Sequence, residues 1–289
     1  MFRLPSPAIL LRVAAPVLVV ALAACQSVQT TQSGVVGVDR VQRMSPLVSE
    51  AELRQGAVQA YSQELAKERQ KGALNVDAAM TQRVRGIANR LIPASGAFRP
   101  DAPSWPWEVN VIRSDTLNAW CMPGGKIAVY SGLITKLALN DDEIAAIMGH
   151  EISHALREHS RERASEQVTA GLGIQVGAAV LGGGKTTIDF AQLAYQVTMG
   201  LPNSRVHESE ADRMGVELAA RAGYDPRSGV SLWQKMSQAS KGKAPPELLS
   251  THPSGPTRIK DIEARLAKVL PLYDAAPKPG RSFGPPTSG

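Results

Sequence analysis

Residues 140–154 read NDDEIAAIMGHEISH, and this stretch decides the fold. Asn140 is a favourable N-cap, and Glu143 three residues later can complete a capping box, so a helix is predicted to begin here. Apolar residues then recur at helical spacing and predict one buried stripe. His150 and His154 stand four residues apart and therefore project from the same face. The stretch predicts a capped, partly buried helix that carries two converging imidazoles.

Glu151 stands between the two histidines and completes a metal-binding pattern. Two imidazoles on one helix face can converge on one ion, and the Glu151 carboxylate can reach a water molecule beside that ion. This His-Glu-x-x-His arrangement is typical of zinc peptidases. The alternative is a pair of surface histidines on an amphipathic helix, which the capped and partly buried setting disfavours.

A catalytic zinc site needs a third protein ligand. Residues 204–212 read SRVHESEAD and belong to a second predicted helix. One face of that helix combines two acids with small residues: Glu208, Ala211, Asp212, Gly215 and Ala219. Small residues allow another helix to approach closely, so we predict that Glu208 is the third ligand. Asp212, one turn later, is predicted to hydrogen-bond a ligand imidazole. The alternative is that both acids lie on an exposed face.

Other charged residues near these motifs are predicted to be exposed. His159 is rotated away from the two ligand histidines, and Glu210 points away from the ligand face of its helix. Between Arg157 and Glu166, basic and acidic residues alternate, which is typical of a solvated helix face. The net charge is +6, but the basic residues do not cluster, so no nucleic-acid partner is expected.

The rest of the chain predicts a mainly α fold with a small β-sheet, of the α+β class. A content of 43% hydrophobic residues and only two cysteines excludes wholesale disorder and a disulfide scaffold. The pattern predicts helices at 46–71 and 77–91, a proline-rich loop at 93–106, a strand at 107–112, a hairpin at 117–130, and helices from 132 to about 270.

The N-terminus has the features of a lipoprotein signal. Residues 1–24 hold two arginines, no acid and an apolar run too short to span a bilayer, and small residues lead into Cys25. Cys25 is therefore the predicted lipidation site, with a plain secretory signal as the alternative. Gln26 is not an aspartate, which favours the outer membrane and a chain that faces the periplasm of a bacterial envelope.

Beyond the signal, composition divides the chain into three parts. Residues 25–45 are rich in glutamine, threonine, serine and glycine and are predicted to be a flexible, lipid-anchored tether of roughly 25 Å reach. Residues 46–270 form the predicted zinc metallopeptidase domain. Residues 271–289 are rich in proline and glycine and are predicted to be a disordered tail.

The two motifs together resemble a known family. His150-Glu151-x-x-His154 followed by Glu208-x-x-x-Asp212 is similar to the gluzincin peptidases that include HtpX, the mitochondrial Oma protease and the CAAX prenyl proteases. Residues 118–127 (NAWCMPGGKI) resemble the hairpin before the zinc helix in that family, and residues 251–253 (THP) resemble a downstream loop. The chain lacks the long transmembrane segments of HtpX and the prenyl proteases. The resemblance is therefore to the periplasmic lipoprotein branch.

The resemblance implies a zincin-type zinc metalloendopeptidase of envelope quality control. One Zn²⁺ per chain would be held by His150, His154 and Glu208, with Glu151 as the general base. The implied substrates are unfolded or misfolded polypeptides, which would pair with the hairpin edge at Asn118, Ala119 and Trp120.

His252 has more than one possible role. His252 and Arg258 are candidates to stabilise the oxyanion of the tetrahedral intermediate. In this family the His-Pro loop can also lie over the zinc, so His252 is equally a candidate gate. A histidine in a surface loop is the third alternative.

Two other functions stay open for the whole chain. One is a membrane-tethered chaperone or assembly factor that contains zinc and has latent or no proteolysis. The other is an interaction lipoprotein in which the zinc motif is accidental. Glu151 disfavours a purely structural zinc site, because such a site needs no base.

Overall fold

The computed structural model describes residues 26–180, 188–240, 247–252 and 256–280. The predicted signal peptide, Cys25 and residues 281–289 lie outside these ranges. The strands are β1 (Gln26–Val28), β2 (Gln42–Met44), β3 (Glu108–Ile112), β4 (Ala119–Met122) and β5 (Lys126–Tyr130). The α-helices are α1 (Glu50–Gln70), α2 (Ala78–Ala94), α3 (Ser131–Lys136), α4 (Asp141–Leu156), α5 (His159–Val180), α6 (Phe190–Tyr195), α7 (Arg205–Arg221), α8 (Ser228–Ala239), α9 (Glu247–Thr251) and α10 (Pro256–Ala275). The predicted mainly α fold with a small sheet is confirmed.

A three-stranded sheet in the order β3-β5-β4 separates two layers of helices. β5 pairs parallel with β3 and antiparallel with β4, so β4 is an edge strand. Successive side chains of a strand point to opposite faces. Ala119 and Cys121 accordingly pack in the main core with α2 and α4, whereas Trp120 and Met122 pack in a second core with α1 and α6. Both faces of the sheet are therefore covered by buried residues.

Helix α4 begins at the predicted capping box. Asn140 Oδ1 accepts the Glu143 backbone N–H at 2.9 Å, and Glu143 Oε2 accepts the Asn140 N–H at 3.0 Å. Every residue of α4 from Glu143 to Leu156 is buried, because the helix is packed between the sheet, α2, α7 and α8. Helix α10 packs on α7 and α8 from the other side.

The close approach of α4 and α7 depends on one glycine in each helix. A Cβ atom built on Gly215 would lie 2.8 Å from the His150 backbone nitrogen, and one on Gly149 would lie 2.8 Å from the Gly215 carbonyl oxygen. Real Cβ contacts are not that short. The predicted small-residue face of the second helix therefore has the role assigned to it, which is to bring two functional helices into backbone contact.

Residues 26–45 are folded onto the body, which corrects the predicted flexible tether at 25–45. β1 and β2 form an antiparallel pair. Three apolar side chains of the segment are buried: Val36, Val38 and Met44. Arg40 bonds Glu162 at 2.7 Å and Glu210 at 2.7 Å. The polar composition concealed this arrangement, because few apolar residues anchor the segment and hydrogen bonds such as those from Gln32 and Gln42 to the body have no signature in the sequence.

Arg40→Ala is expected to destabilise the folded chain. It would leave the carboxylates of Glu162 and Glu210, each only 7% exposed, without their shared guanidinium. Breaking a buried pair costs about 3–5 kcal/mol, and the partial exposure of Arg40 reduces this to about 2 kcal/mol. Urea denaturation of the full-length chain measures the loss. Arg227→Ala, which removes an exposed arginine paired with Asp225, is the control and should leave the midpoint unchanged.

Two other predicted boundaries also differ from the structure. The predicted loop at 93–106 instead contains the last turn of α2, with Pro93 inside the helix, and two short 3₁₀ turns. α10 continues to Ala275, so the body extends past the predicted limit at residue 270. Among the described residues, no helix combines the length and the apolar character needed to cross a membrane.

Candidate metal centre

His150 and His154 converge on α4 as their spacing predicts. Their Nε2 atoms are 3.1 Å apart, and both side chains are almost fully buried. Burial lowers the pKa of His154 well below its ordinary value, which keeps the imidazole in the neutral form that binds metals.

Glu208 and His252 complete a cluster of four possible metal ligands. Glu208 Oε1 lies 3.4 Å from His154 Nε2 and 3.0 Å from His252 Nδ1, and His252 Nδ1 lies 3.2 Å from His150 Nε2. One donor atom from each of the four residues lies within 4.8 Å of the others. A tetrahedral zinc site with bonds of 2.0–2.1 Å separates its donor atoms by about 3.3 Å, so the four side chains fit a zinc ion.

Glu151 lies beside the cluster rather than in it. Its carboxylate is buried, and its Oε1 atom accepts no hydrogen bond from any residue that the structure describes. The nearest recorded partner is His252 Nε2 at 3.5 Å. Burial raises the pKa of the Glu151 carboxyl above its ordinary value. A buried carboxylate with a free oxygen next to a metal site can receive a proton there.

Asp212 fixes the orientation of His150. Asp212 Oδ1 lies 3.0 Å from His150 Nδ1, and the same carboxylate accepts bonds from Arg258 at 2.6 and 2.7 Å and from Trp233 Nε1 at 3.2 Å. Burial opposes ionisation, but the charge of Arg258 holds the pKa of Asp212 below its ordinary value. Arg258 also pairs with Glu208 at 2.7 Å, so its guanidinium is engaged by carboxylates, in contrast to the predicted oxyanion role.

His159 and Glu210 are buried, which corrects both predictions of exposure. His159 Nδ1 lies 2.9 Å from His154 Nδ1, and His159 Nε2 lies 3.0 Å from Glu210 Oε2. The cause is a break between α4 and α5, where Glu158 adopts a left-handed backbone conformation with φ of 52°. That position usually holds glycine, so nothing in the sequence marked the turn that brings His159 back towards His154.

The predicted solvated face between Arg157 and Glu166 is a buried ionic network for much of its length. Arg157 is fully buried and bonds Glu210 at 3.2 Å, while Glu162 accepts from Arg40 and from His207 at 3.0 Å. Alternating charges typically indicate exposure. Here they pair with the N-terminal segment and with α7, partners that are remote in sequence.

The hairpin places Asn118, Ala119 and Trp120 on the edge strand β4, with which no strand other than β5 pairs among the residues that the structure describes. Tyr130 N–H donates to the Asn118 carbonyl at 3.0 Å, which fixes the pairing of β4 with β5. The next backbone N–H, that of Ala119, donates to Asn118 Oδ1 at 2.9 Å. The Trp120 side chain packs away from α4, in the second core. The edge therefore offers backbone groups, and an asparagine amide covers one of them.

The structure combines a His-Glu-x-x-His helix, a second helix that supplies Glu208, and a small sheet, and these define the fold and candidate metal site of a zincin-type metallopeptidase. The chain belongs to peptidase family M48, and the model of that family matches residues 78–266. Membership of this family confirms the predicted relationship to zinc peptidases.

Curated relatives include mitochondrial and bacterial peptidases. The chain is 38% identical over 154 residues to the mitochondrial metalloendopeptidase OMA1 of Arabidopsis thaliana, which covers 53% of this chain and 30% of that protein. It is 33% identical over 188 residues to OMA1 of Schizosaccharomyces pombe, and this match covers 64% of this chain and 53% of that protein. It is 28% identical over 233 residues to the beta-barrel assembly-enhancing protease of Yersinia pestis, and this match covers 75% of this chain and 46% of that protein. The chain spans about half or less of the length of these relatives.

Proposed function

We propose that the protein is a zinc-dependent metalloendopeptidase of a bacterial envelope that cleaves unfolded or misfolded polypeptides. The observation that carries this proposal is the juxtaposition of four buried donor residues with the free carboxylate oxygen of Glu151. A structural zinc site would use the four donor residues but would have no need of the Glu151 carboxylate.

His150, His154 and Glu208 are the residues that would hold the ion. When bound, Zn²⁺ supplies Lewis acidity, which lowers the pKa of water and polarises a carbonyl group. Glu151 Oε1 receives the proton of the attacking water and then delivers it to the nitrogen of the leaving amine. Asp212 keeps the His150 ring in place, and the surrounding helices exclude bulk water from the Glu151 carboxylate.

Substrate is proposed to bind as an added strand along β4. The Asn118 backbone faces β5, whereas the backbone of Ala119 faces outward and would hold an extended peptide whatever its sequence, which suits unfolded proteins. The Asn118 amide would release the Ala119 N–H when a substrate carbonyl replaces it. Trp120 would support the edge from the opposite face without touching the peptide.

The proposed location is the periplasmic side of the outer membrane. The support for this assignment is the sequence pattern of the N-terminus, in which Cys25 is the predicted lipidation site and Gln26 follows it. The bacterial relative named above is called a beta-barrel assembly-enhancing protease, which is consistent with an envelope role. Proposed partners are polypeptide substrates and the membrane.

Cleavage of casein by the full-length chain, with bound zinc quantified in the same sample, tests the proposed function. Zinc at one equivalent per chain together with cleavage would support it. A chain that binds no zinc after reconstitution would refute it.

A second candidate function is a zinc-containing chaperone or assembly factor with latent or no proteolysis. The observation that favours it is His252, which fills a fourth donor position and so would close the site to water. The residue before His252, Thr251, is held by Asn203, which lies just before α7. The Asn203 backbone N–H donates to the Thr251 carbonyl at 2.8 Å. We propose that His252, as a possible fourth donor, acts as a gate rather than as an oxyanion donor.

His252→Ala is expected to raise the rate of casein cleavage by about tenfold, because a site that is open in only about a tenth of molecules gains that factor when the gate is removed. Initial rates with equal zinc loading measure the effect. A fall of 10²–10³-fold with zinc retained would instead assign an oxyanion role. Loss of zinc would make His252 a structural ligand and favour the second candidate.

A further inference from the structure

Two buried side chains, His159 and Glu210, have no part in the mechanism above and yet reach a metal donor. The His159 ring is fully buried, and its two nitrogens bridge His154 Nδ1 at 2.9 Å and Glu210 Oε2 at 3.0 Å. The other face of the ring stacks on His207, with 4.3 Å between ring centroids. Glu210, His159 and His154 thus form a continuous chain of hydrogen bonds that ends at the imidazole of a metal donor.

The chemistry of this line determines where its protons lie. A carboxylate can only accept, so His159 Nε2 carries a proton and donates it to Glu210. A neutral His159 then has a bare Nδ1, which accepts from His154 Nδ1–H. His154 is left with a free lone pair on Nε2, the atom that faces the other donors. The reverse arrangement would put the His154 proton on Nε2 and prevent ligation.

Charges around Glu210 keep this arrangement in place. Arg40 bonds Glu210 at 2.7 Å and Arg157 bonds it at 3.2 Å, so the position of the carboxylate is fixed. His150 is oriented directly by Asp212, so each donor histidine is tied to a buried carboxylate, one directly and the other through a second histidine.

We propose that His159 is a positioning residue for the metal centre: together with Glu210 it fixes the tautomer and ring orientation of His154 so that Nε2 is available to the ion. The N-terminal segment belongs to the same device, because Arg40 holds Glu210. The proposal rests on the proposed metal site.

Zinc affinity of the full-length chain, measured by competition with a chelator, tests the proposal. His159→Ala should weaken binding 10–100-fold, the usual effect of removing the partner of a ligand histidine. His159→Asn places a carbonyl oxygen near the former Nδ1 position and should recover most of that affinity. Failure of the parent chain to bind zinc would refute the metal site itself, and so is distinguishable from failure of this proposal.

His207→Ala is the matched control, since it removes an equally buried imidazole from the same stack but leaves the contact with His154 intact. Its zinc affinity should stay within about threefold of the parent. Equal losses in His159→Ala and His207→Ala would mean general loosening and would overturn the proposal, as would an unchanged affinity in His159→Ala.

A direct measurement of the tautomers avoids dependence on variants. The chain has five histidines, so nitrogen NMR of the histidine-labelled protein with zinc can be assigned ring by ring. We expect the His154 proton on Nδ1, and the His159 proton on Nε2 with a bare Nδ1. A protonated His159 Nδ1 would overturn the proposal even if every variant behaved as expected.

Discussion

Glu151→Gln is expected to lower casein cleavage by on the order of 10²–10⁴-fold while zinc content stays at the parent level. The amide keeps the shape of the side chain but cannot take a proton from water. Because Glu151 lies beside the four donors and is not one of them, its neutralisation should leave the ion in place. Initial rates and zinc content measured on the same preparation of the full-length chain give both numbers.

Glu166→Gln is the control for this experiment. Glu166 also lies on a helix of the body, but it is exposed and does not belong to the donor cluster, so its rate should match the parent. Residual cleavage above a tenth of the parent rate in Glu151→Gln would mean that another group takes the proton. Loss of zinc in that variant would mean that Glu151 is a ligand.

Gly215→Ala is expected to damage both folding and the metal centre. The new methyl group would lie 2.8 Å from the backbone nitrogen of His150, so α7 must move away from α4. Overpacking of this kind costs about 1–3 kcal/mol. The movement also separates Glu208 from His150 and His154, and we expect zinc affinity to fall at least tenfold. Urea denaturation of the zinc-free chain and chelator competition measure the two losses.

Gly86→Ala is the same substitution at a position where there is room. Gly86 lies on the exposed face of α2, and a Cβ atom there would have no neighbour within 4 Å. Because alanine is the better helix former, stability should rise by up to about 1 kcal/mol with zinc affinity unchanged. If Gly215→Ala behaved like Gly86→Ala, the close crossing of α4 and α7 would not matter for the site.

Local sequence patterns were enough to predict the parts of the site that lie on a single helix. The capping box at Asn140 and the four-residue spacing of His150 and His154 are properties of a single helix, and each is found as expected. Glu208 lies on a different helix, but the small residues that share its face indicated a helix crossing.

The residues that were predicted to be exposed but are buried either have partners distant in sequence or follow a turn that no glycine marks. A regular helix through residue 158 would rotate His159 to the surface, whereas Glu158 turns the backbone without a glycine. Arg157 and Glu210 looked solvated because charge patterns reveal nothing about partners remote in sequence. Arg40, 170 residues from Glu210, has no periodicity that could associate the two.

The folded N-terminal segment changes how an anchored enzyme would meet its substrates. A flexible tether would let the active site move freely around its anchor and approach any polypeptide nearby. With residues 26–45 packed against the body and Cys25 lipidated as proposed, the active site would stay at a nearly constant distance from the bilayer. Only chain segments presented close to the lipid surface would enter the active site, so selection among substrates would be set by geometry as much as by sequence.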